Sequence, residues 1–266
     1  MNESGRQGID LGVPQSARVW NYWLGGKDNY PVDREVGDQV RDMLPGIVDI
    51  AREDRRFLIR AVRFLAGERG VRQFLDIGTG LPSANNTHEV AQSVAPESRI
   101  VYVDNDPLVL AHARALLTSS PEGETVYLDA DVHRPDDILR QAAATLDFGQ
   151  PVALMMLGIV NHILDDGEAD AIVRTLLDAL CPGSYLVLAH PTADIDGDAM
   201  LKAMTWMNES GGTPVRARTH AEIARFFDGL ELEEPGVVSL PLWRPGPHRP
   251  GSIAEVSEYC GVARKP

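Results

Sequence analysis

The chain of 266 residues carries a formal net charge of −14, with 44% hydrophobic and 24% charged residues. That length and apolar content allow one large domain with a sizeable core. The acidity argues against nucleic acid, whose binding rests on neutralising phosphates, and no run of roughly eighteen apolar residues is present to form a membrane span.

Two cysteines, Cys181 and Cys260, are too few for a disulfide framework and read as core thiols in a reducing setting. The opening MNESGRQGIDLG lacks the apolar stretch of a signal peptide, so the expectation is a cytoplasmic protein. Residues 1–12 look flexible, and residues 14–66 read as helical pieces interrupted at Gly25-Gly26, Pro31 and Pro45-Gly46. In AREDRRFLIRAVRFLA, Phe57, Leu58, Ala61 and Leu65 make an apolar helix face. Arg52, Arg55, Arg56, Arg60 and Arg63 take the remaining surface. They read as solvated residues paired with Glu53, Asp54 or neighbours rather than as an anion site.

From Val71 short apolar runs alternate with helical stretches. The runs are RQFLDIG (72–78), RIVYVD (99–104), TVYLDAD (125–131), PVALMMLGIV (151–160) and SYLVLAHP (184–191). Helical patterns lie near 84–94, 107–118, 136–146 and 168–180. Each spacer is long enough for a crossover, so the runs predict a parallel sheet covered on both faces. A helical stretch with Met200, Met204, Trp206 and Met207 then intrudes, followed by a helix capped by Thr219. Two further strands are expected near 230–238 and 252–261, joined by the proline-rich LPLWRPGPHRPG as a hairpin.

In an open parallel sheet, ligands bind beyond the carboxyl ends of the strands. The first strand ends in LDIGTGLPSANN, where Gly78 and Gly80 let a ligand approach the backbone and the next helix points its N-terminus at it. The second ends in VYVDNDP; Asp104 there can accept both hydroxyl protons of a ribose, while Asp106 caps the helix that opens at Pro107. The third ends in YLDADV, where Asp131, with Asp129 as the alternative, can accept from an amino group such as that of adenine. The fourth sets Asn161 and His162 over the same crevice. A nicotinamide cofactor would put its pyrophosphate at the first loop, but the G-x-G is followed by Ser83 at the sixth place, and Asp76 sits two residues before the first glycine. A carboxylate repels a pyrophosphate and suits a cation, which favours the sulfonium and ammonium of S-adenosyl-L-methionine.

The runs FLDIGTG, VYVDND, YLDAD and LEEPGVV resemble the successive motifs of class I S-adenosylmethionine-dependent methyltransferases. The wider pattern, from SARVWNYWLGGKDNY through RQFLDIGTGLP to YCGVARKP, resembles one actinobacterial branch of methyltransferase-like proteins, known by fold rather than by reaction. The resemblance covers nearly the whole chain. It implies a Rossmann-like α/β fold, a seven-stranded sheet with the last strand antiparallel, with an N-terminal helical extension. It also implies that Asp76, Gly78 and Gly80 surround the methionine part, Asp104 holds the ribose, Asn105 lies beside the adenine, and Asp131 and the Val132 N–H meet the adenine edge. Pro82 stands where the family's first motif has a third glycine; proline removes a donor and fixes φ, so a slightly altered loop is expected.

Residues 1–66 are accordingly expected to form an extension or lid, and 67–266 a cofactor-binding domain with an insertion at about 194–215. Tyr22, Trp23, Lys27, Asn29, Asn161 and Trp206 are the candidate lid and acceptor residues; Trp20, Tyr22 and Trp23 could equally dock the N-terminal helices on the core. Gly25-Gly26 reads as a hinge or a close-approach turn. His162 is the candidate general base, with a histidine that only shapes the pocket as the competing role. His190 is a weaker candidate, and His88, His112 and His133 read as surface or helix residues. No spacing of His, Cys and acids proposes a metal. The expected function is methyl transfer to a small-molecule acceptor; the alternative is a cofactor-binding regulatory or assembly protein without catalysis.

Overall fold

The structure, a computed structural model, describes residues 12–82, 84–116, 118–246 and 254–266. Most of the expected flexible N-terminus, Ser83 and residues 247–253 of the proline-rich connection lie outside the described residues.

Three helices precede the sheet: α1 (Ser16–Trp23), α2 (Pro31–Met43) and α3 (Ile47–Gly67). Pro31 begins α2, since the first helical position needs no N–H, and Asp33 Oδ2 accepts the Tyr30 N–H at 2.8 Å. The turn between α1 and α2 is built on Asn21. Its Oδ1 accepts the Asp28 N–H at 3.0 Å and Asn29 Nδ2 at 2.9 Å. A Cβ at Gly26 would lie 2.3 Å from Asn21 Nδ2, so this is a close-approach turn that only glycine fits.

Beyond Val71 the chain runs β1 (Gln73–Ile77), α4 (Thr87–Val94), β2 (Arg99–Asp104), α5 (Pro107–Leu116), β3 (Glu124–Asp129), α6 (Pro135–Ala142), β4 (Val152–Leu157), α7 (Asp166–Asp178) and β5 (Tyr185–Pro191). There follow α8 (Gly197–Glu209), α9 (His220–Ala224), β6 (Glu231–Leu232), β7 (Val238–Ser239) and β8 (Glu258–Arg264). The sheet order is β3-β2-β1-β4-β5-β8-β6, with β7 also paired to β8. β1 to β5 are parallel; β8 is antiparallel, with Glu258 opposite Pro191. The order reverses between β1 and β4, which opens a crevice at the strands' carboxyl ends.

The strand expected over 230–238 is two stubs rather than one element. Glu233 still donates to Val262 O at 2.9 Å, but Pro235 has no N–H for a ladder, and Gly236 turns back to Glu233 O at 2.9 Å. The final strand begins at Glu258 rather than near 252.

Period-two alternation divides the core. Leu75, Ile77, Val101, Leu154 and Leu186 face the layer containing Ile138, Ile172 and Leu176. Phe74, Ile100, Ala153 and Val187 face the layer containing Phe57, Leu65 and Val90, with Trp243 buried among them. A separate cluster joins Val19, Trp23, Val40, Leu44 and Ile50 to Met200, Ala203 and Met204. Helices α1, α2 and α3 and a later helix, over 197–209, therefore share one apolar core. Arg18 of α1 and Asp33 of α2, 1% and 0% exposed, form a buried pair at 3.2 Å. No described helix is long and apolar enough to cross a membrane.

Candidate active site

A cavity of about 950 Å³ lies where the ends of β1, β2 and β4 meet α1, α3 and α8. This is the upper part of the range for small-molecule sites, roughly 300–1,000 Å³. Its wall includes Asp54, Asp76, Asp104, Asp106, Asp131 and Glu258; among the described lining residues Arg55 is the only arginine or lysine.

Asp76 follows Phe74 by two positions and so faces α3 and α4. It is 6% exposed, and its Oδ2 accepts the Thr87 hydroxyl at 2.6 Å. Burial pushes its carboxyl up to about 6; the Thr87 bond and Arg55 act against that shift, and Asp104 adds to it. Gly78 has φ +76°, and an added Cβ would meet Ile159 at 2.7 Å, so strand end and β4 loop approach closely only with glycine. The Gly80 N–H donates to Asp104 Oδ2 at 2.9 Å, and the Asp106 N–H to Asp104 Oδ1 at 3.0 Å. Burial raises the Asp104 carboxyl above its usual range, with the backbone donors opposing. Asp106 accepts the Leu108 N–H at 2.8 Å, as a cap of α5.

Asn105, Asp131 and Val132 also line the cavity, and Asp131 Oδ1 accepts the His133 N–H at 3.0 Å. Asp129, the alternative acid, is exposed and outside the lining. After Pro82, α4 starts only at Thr87, with Asn86 as its cap and Glu89 returning a carboxylate to the Asn86 N–H at 2.8 Å.

Asn161 and His162 both line the cavity from the loop after β4. Pro214 O lies 2.9 Å from His162 Nδ1, and a carbonyl can only accept, so Nδ1 carries the hydrogen. Burial pushes the ring's pKa down, which keeps Nε2 unprotonated in the neutral ring. The loop is tied down by Arg218, 2% exposed, which donates to Val160 O at 3.2 Å, Ile163 O at 2.8 Å and Asp166 Oδ1 at 3.0 Å. His190 belongs to the same network. It is fully buried, receives Arg218 Nη1 on Nε2 at 2.8 Å, and is pushed down to about 3 by burial, so it is a core acceptor and does not line the cavity.

Of the expected lid and acceptor residues, Trp23 and Asn161 line the cavity; Tyr22, Lys27, Asn29 and Trp206 do not. Tyr22 donates its hydroxyl to Asp38 at 2.7 Å on the outer side of α2. Asn29, 8% exposed, is consumed by Asn21 and by the Gly26 carbonyl at 3.0 Å. Lys27 is exposed, and Trp206 packs half-buried against the apolar cluster of α1, α2 and α8. His88, read as a surface or helix residue, is a helix residue, buried in α4. It is 4% exposed, and its ring lies 2.9 Å from the Tyr102 hydroxyl.

Several wall residues escape a reading of motifs alone. Tyr102 and Tyr127 stack at 5.2 Å, and Tyr127 bonds the Thr79 hydroxyl. Alternation could have found them, since Tyr102 shares a face with Asp104 and Tyr127 lies opposite in register. The arginine-rich helix divides differently from expectation. Arg52 pairs with Asp49 at its surface, the exposed Arg56 reaches the buried Glu53, and Arg60 donates to Leu240 O and Trp243 O. Arg55 and Asp54 instead line the cavity, and Asp54 is 9% exposed rather than a solvated ion-pair partner. Glu258, 1% exposed, joins them from the start of β8.

Comparison with known proteins agrees with this geometry. A family profile described as S-adenosyl methyltransferase matches residues 2–266. A DUF574 family protein from Streptomyces avermitilis is 46% identical, with 97% of this chain and 100% of that one covered and a TM-score of 0.93. A proposed methyltransferase from Thermobifida fusca is 42% identical over 99% of both chains, with a TM-score of 0.89. The N-methyltransferase NodS from Bradyrhizobium japonicum, solved with S-adenosyl-L-homocysteine, shares the fold at 15% identity, 82% of this chain, 88% of that one and a TM-score of 0.50. No curated protein matches the sequence. An acid-walled cavity at the switch point of the sheet and a family match along the entire described chain lead to one conclusion: this chain belongs to the S-adenosyl methyltransferase family, a class I methyltransferase fold whose cofactor is S-adenosyl-L-methionine.

Proposed function

We propose that the protein transfers the methyl group of S-adenosyl-L-methionine to a small-molecule acceptor held between the strand ends and the cap formed by α1, α2 and α8. The observation that carries this reading is the cavity's charge pattern, with three buried acids, further half-buried ones and, among the described lining residues, one arginine, together with its apolar roof. When bound, the cofactor supplies an electrophilic methyl on a sulfonium.

The residues present fit it. Asp76 offers a carboxylate to the positive end, and Arg55 a guanidinium to the amino-acid carboxylate. Gly78 and Gly80 allow close approach of the backbone. Asp104 keeps lone pairs for ribose hydroxyls beyond the two backbone donors it already holds. Asn105, Asp131 and the Val132 N–H serve the adenine. Methyl transfer is an in-line displacement, so alignment and exclusion of water supply most of the acceleration, and the apolar roof serves both. His162 Nε2 takes the acceptor's proton where one must be lost. Trp23 and Asn161 shape the acceptor side, and the net charge of −14 favours a small acceptor over nucleic acid.

Thermal denaturation with S-adenosyl-L-methionine, S-adenosyl-L-homocysteine or NAD tests this. Either sulfur compound at a hundred times its Kd should stabilise the fold by about 2.7 kcal/mol, and NAD should leave it unchanged. Stabilisation by NAD alone would overturn the reading.

A further inference from the structure

We propose that Asp54 and Glu258 form the subsite that receives an amino group of the methyl acceptor, so that the acceptor is an amine on an apolar body. This rests on the methyltransferase reading above and adds the substrate class.

The two carboxyls come from distant parts of the chain, Asp54 from the middle of α3 and Glu258 from the first position of β8. Both line the cavity, both are more than nine-tenths buried, and each has a buried oxygen with no hydrogen-bond partner, Asp54 Oδ1 and Glu258 Oε1. By contrast, Asp76, Asp104 and Asp131 each accept a hydrogen bond from the protein. A buried carboxylate without a donor is costly, so the arrangement asks for a donor from outside the chain. Nor does the protein supply a counter-charge to Glu258. The charge that acts on it is that of Asp54, which adds to burial in holding its carboxyl well above the usual range; Asp54 is itself raised by burial and by Asp76, with Arg55 opposing. Arg55 acts on Asp54 and on Asp76. An ammonium supplies both the hydrogen-bond donors and the positive charge that the two carboxyls lack.

Position separates this pair from the nucleoside half of the site. Asp104 and Asp131 belong to β2 and the loop after β3, on one side of the switch point; Glu258 stands opposite Pro191 at the end of β5, on the other. Ser257, next to Glu258, donates its hydroxyl to Asp196 at 2.6 Å, and so anchors this corner to the start of α8. Above it lie Leu44, Ile50, Met200 and Met204, an apolar wall that suits a hydrocarbon or aromatic body behind a polar head. In the transfer the bound ammonium first passes one proton to the carboxylate pair, which frees its lone pair and leaves His162 Nε2 for acceptors whose proton no carboxylate takes. The nitrogen then gains the methyl carbon, the carbon–sulfur bond breaks with its electron pair left on sulfur, and the product leaves as the methylated ammonium.

An ammonium also exists on the cofactor itself, and the experiment separates the two sources. Calorimetry on the full chain saturated with S-adenosyl-L-homocysteine would compare 2-phenylethylamine with 2-phenylethanol. The amine should bind on the order of tenfold tighter or more than the alcohol, as charged hydrogen bonds warrant. Asp54→Asn/Glu258→Gln should abolish that preference while S-adenosyl-L-homocysteine affinity stays within about twofold. Glu258→Gln alone gives the same readout should the double variant fail to fold. An amine no better than the alcohol, or a preference that survives substitution, would overturn the proposal. So would loss of S-adenosyl-L-homocysteine affinity in the variants, which would assign the pair to the cofactor's own amino group. Wild-type protein that binds no S-adenosyl-L-homocysteine would instead bring down the methyltransferase reading beneath it.

Discussion

Asp76 shows how one side chain can tie a cofactor site to pH. Its burial raises the carboxyl to about 6, so between pH 5 and 7 it changes charge, whereas an ordinary aspartate would already be ionised. A cationic ligand pairs with the carboxylate, so protons compete with it below that value. The sign is therefore weaker binding in acid: S-adenosyl-L-homocysteine affinity should fall about tenfold from pH 8 to pH 5. Asp54, Asp104 and Glu258 are raised by burial as well. The Asp76→Asn variant isolates the Asp76 contribution: calorimetry should find it weaker at pH 8 and flatter with pH. A variant as steep as the wild type would assign the titration to those neighbours. At this scale the legible residues were those whose chemistry is local. Asp76, Gly78, Gly80, Asp104 and Asp131 all follow directly from strand ends, where glycine and acids stand out against apolar runs. Arg55 has no such signal, because five arginines share its helix and only packing selects one.

Among elements, two buried arginines hold loops that would otherwise depend on weak contacts. Arg18 pairs with Asp33 at 3.2 Å and also donates to the Val13 carbonyl, which fixes α1 against the start of α2. Arg218 fastens the loop that presents Asn161 and His162. Breaking a buried pair leaves an uncompensated charge, so Arg18→Met should lower unfolding free energy by about 3 kcal/mol or more in urea titrations at unchanged m-value. The Arg18→Met/Asp33→Asn double variant should recover part of this, since it removes the stranded carboxylate. An Arg18→Met loss within about 0.5 kcal/mol would mean that the pair is no more than a surface interaction. The helices and parallel strands themselves were readable from periodicity to within a few residues. The stretch 230–238 was not, because its apolar pattern suits a strand while Pro235 and the turn to Gly236 break the ladder that would make it one.

For the molecule as a whole, the sheet and its cap have separate apolar cores, and the cavity lies between them. We propose that the cap closes over the cofactor as a lid. S-adenosyl-L-homocysteine should then slow amide hydrogen exchange in α1, α2 and α8 at least several-fold, and in β4 and β5 far less, because a central strand already exchanges only on global opening. Equal protection throughout would indicate a rigid cap. The amino-acid sequence by itself determined the alternation of strand and helix, the switch-point crevice, the preference for a cation at its mouth and the acids at the ends of the first three strands. All of these arise from contacts and periods within about thirty residues of chain. Tertiary structure decided which aromatics face the cavity: Trp23, Tyr102 and Tyr127 line it, while Tyr22 and Trp206 do not. It also brought Asp54 and Glu258 to the same wall and left Lys27 in solvent. Those outcomes depend on how α1, α3, α8 and β8 pack across more than a hundred residues of intervening sequence, and no local pattern encodes the direction a side chain takes once two distant surfaces meet.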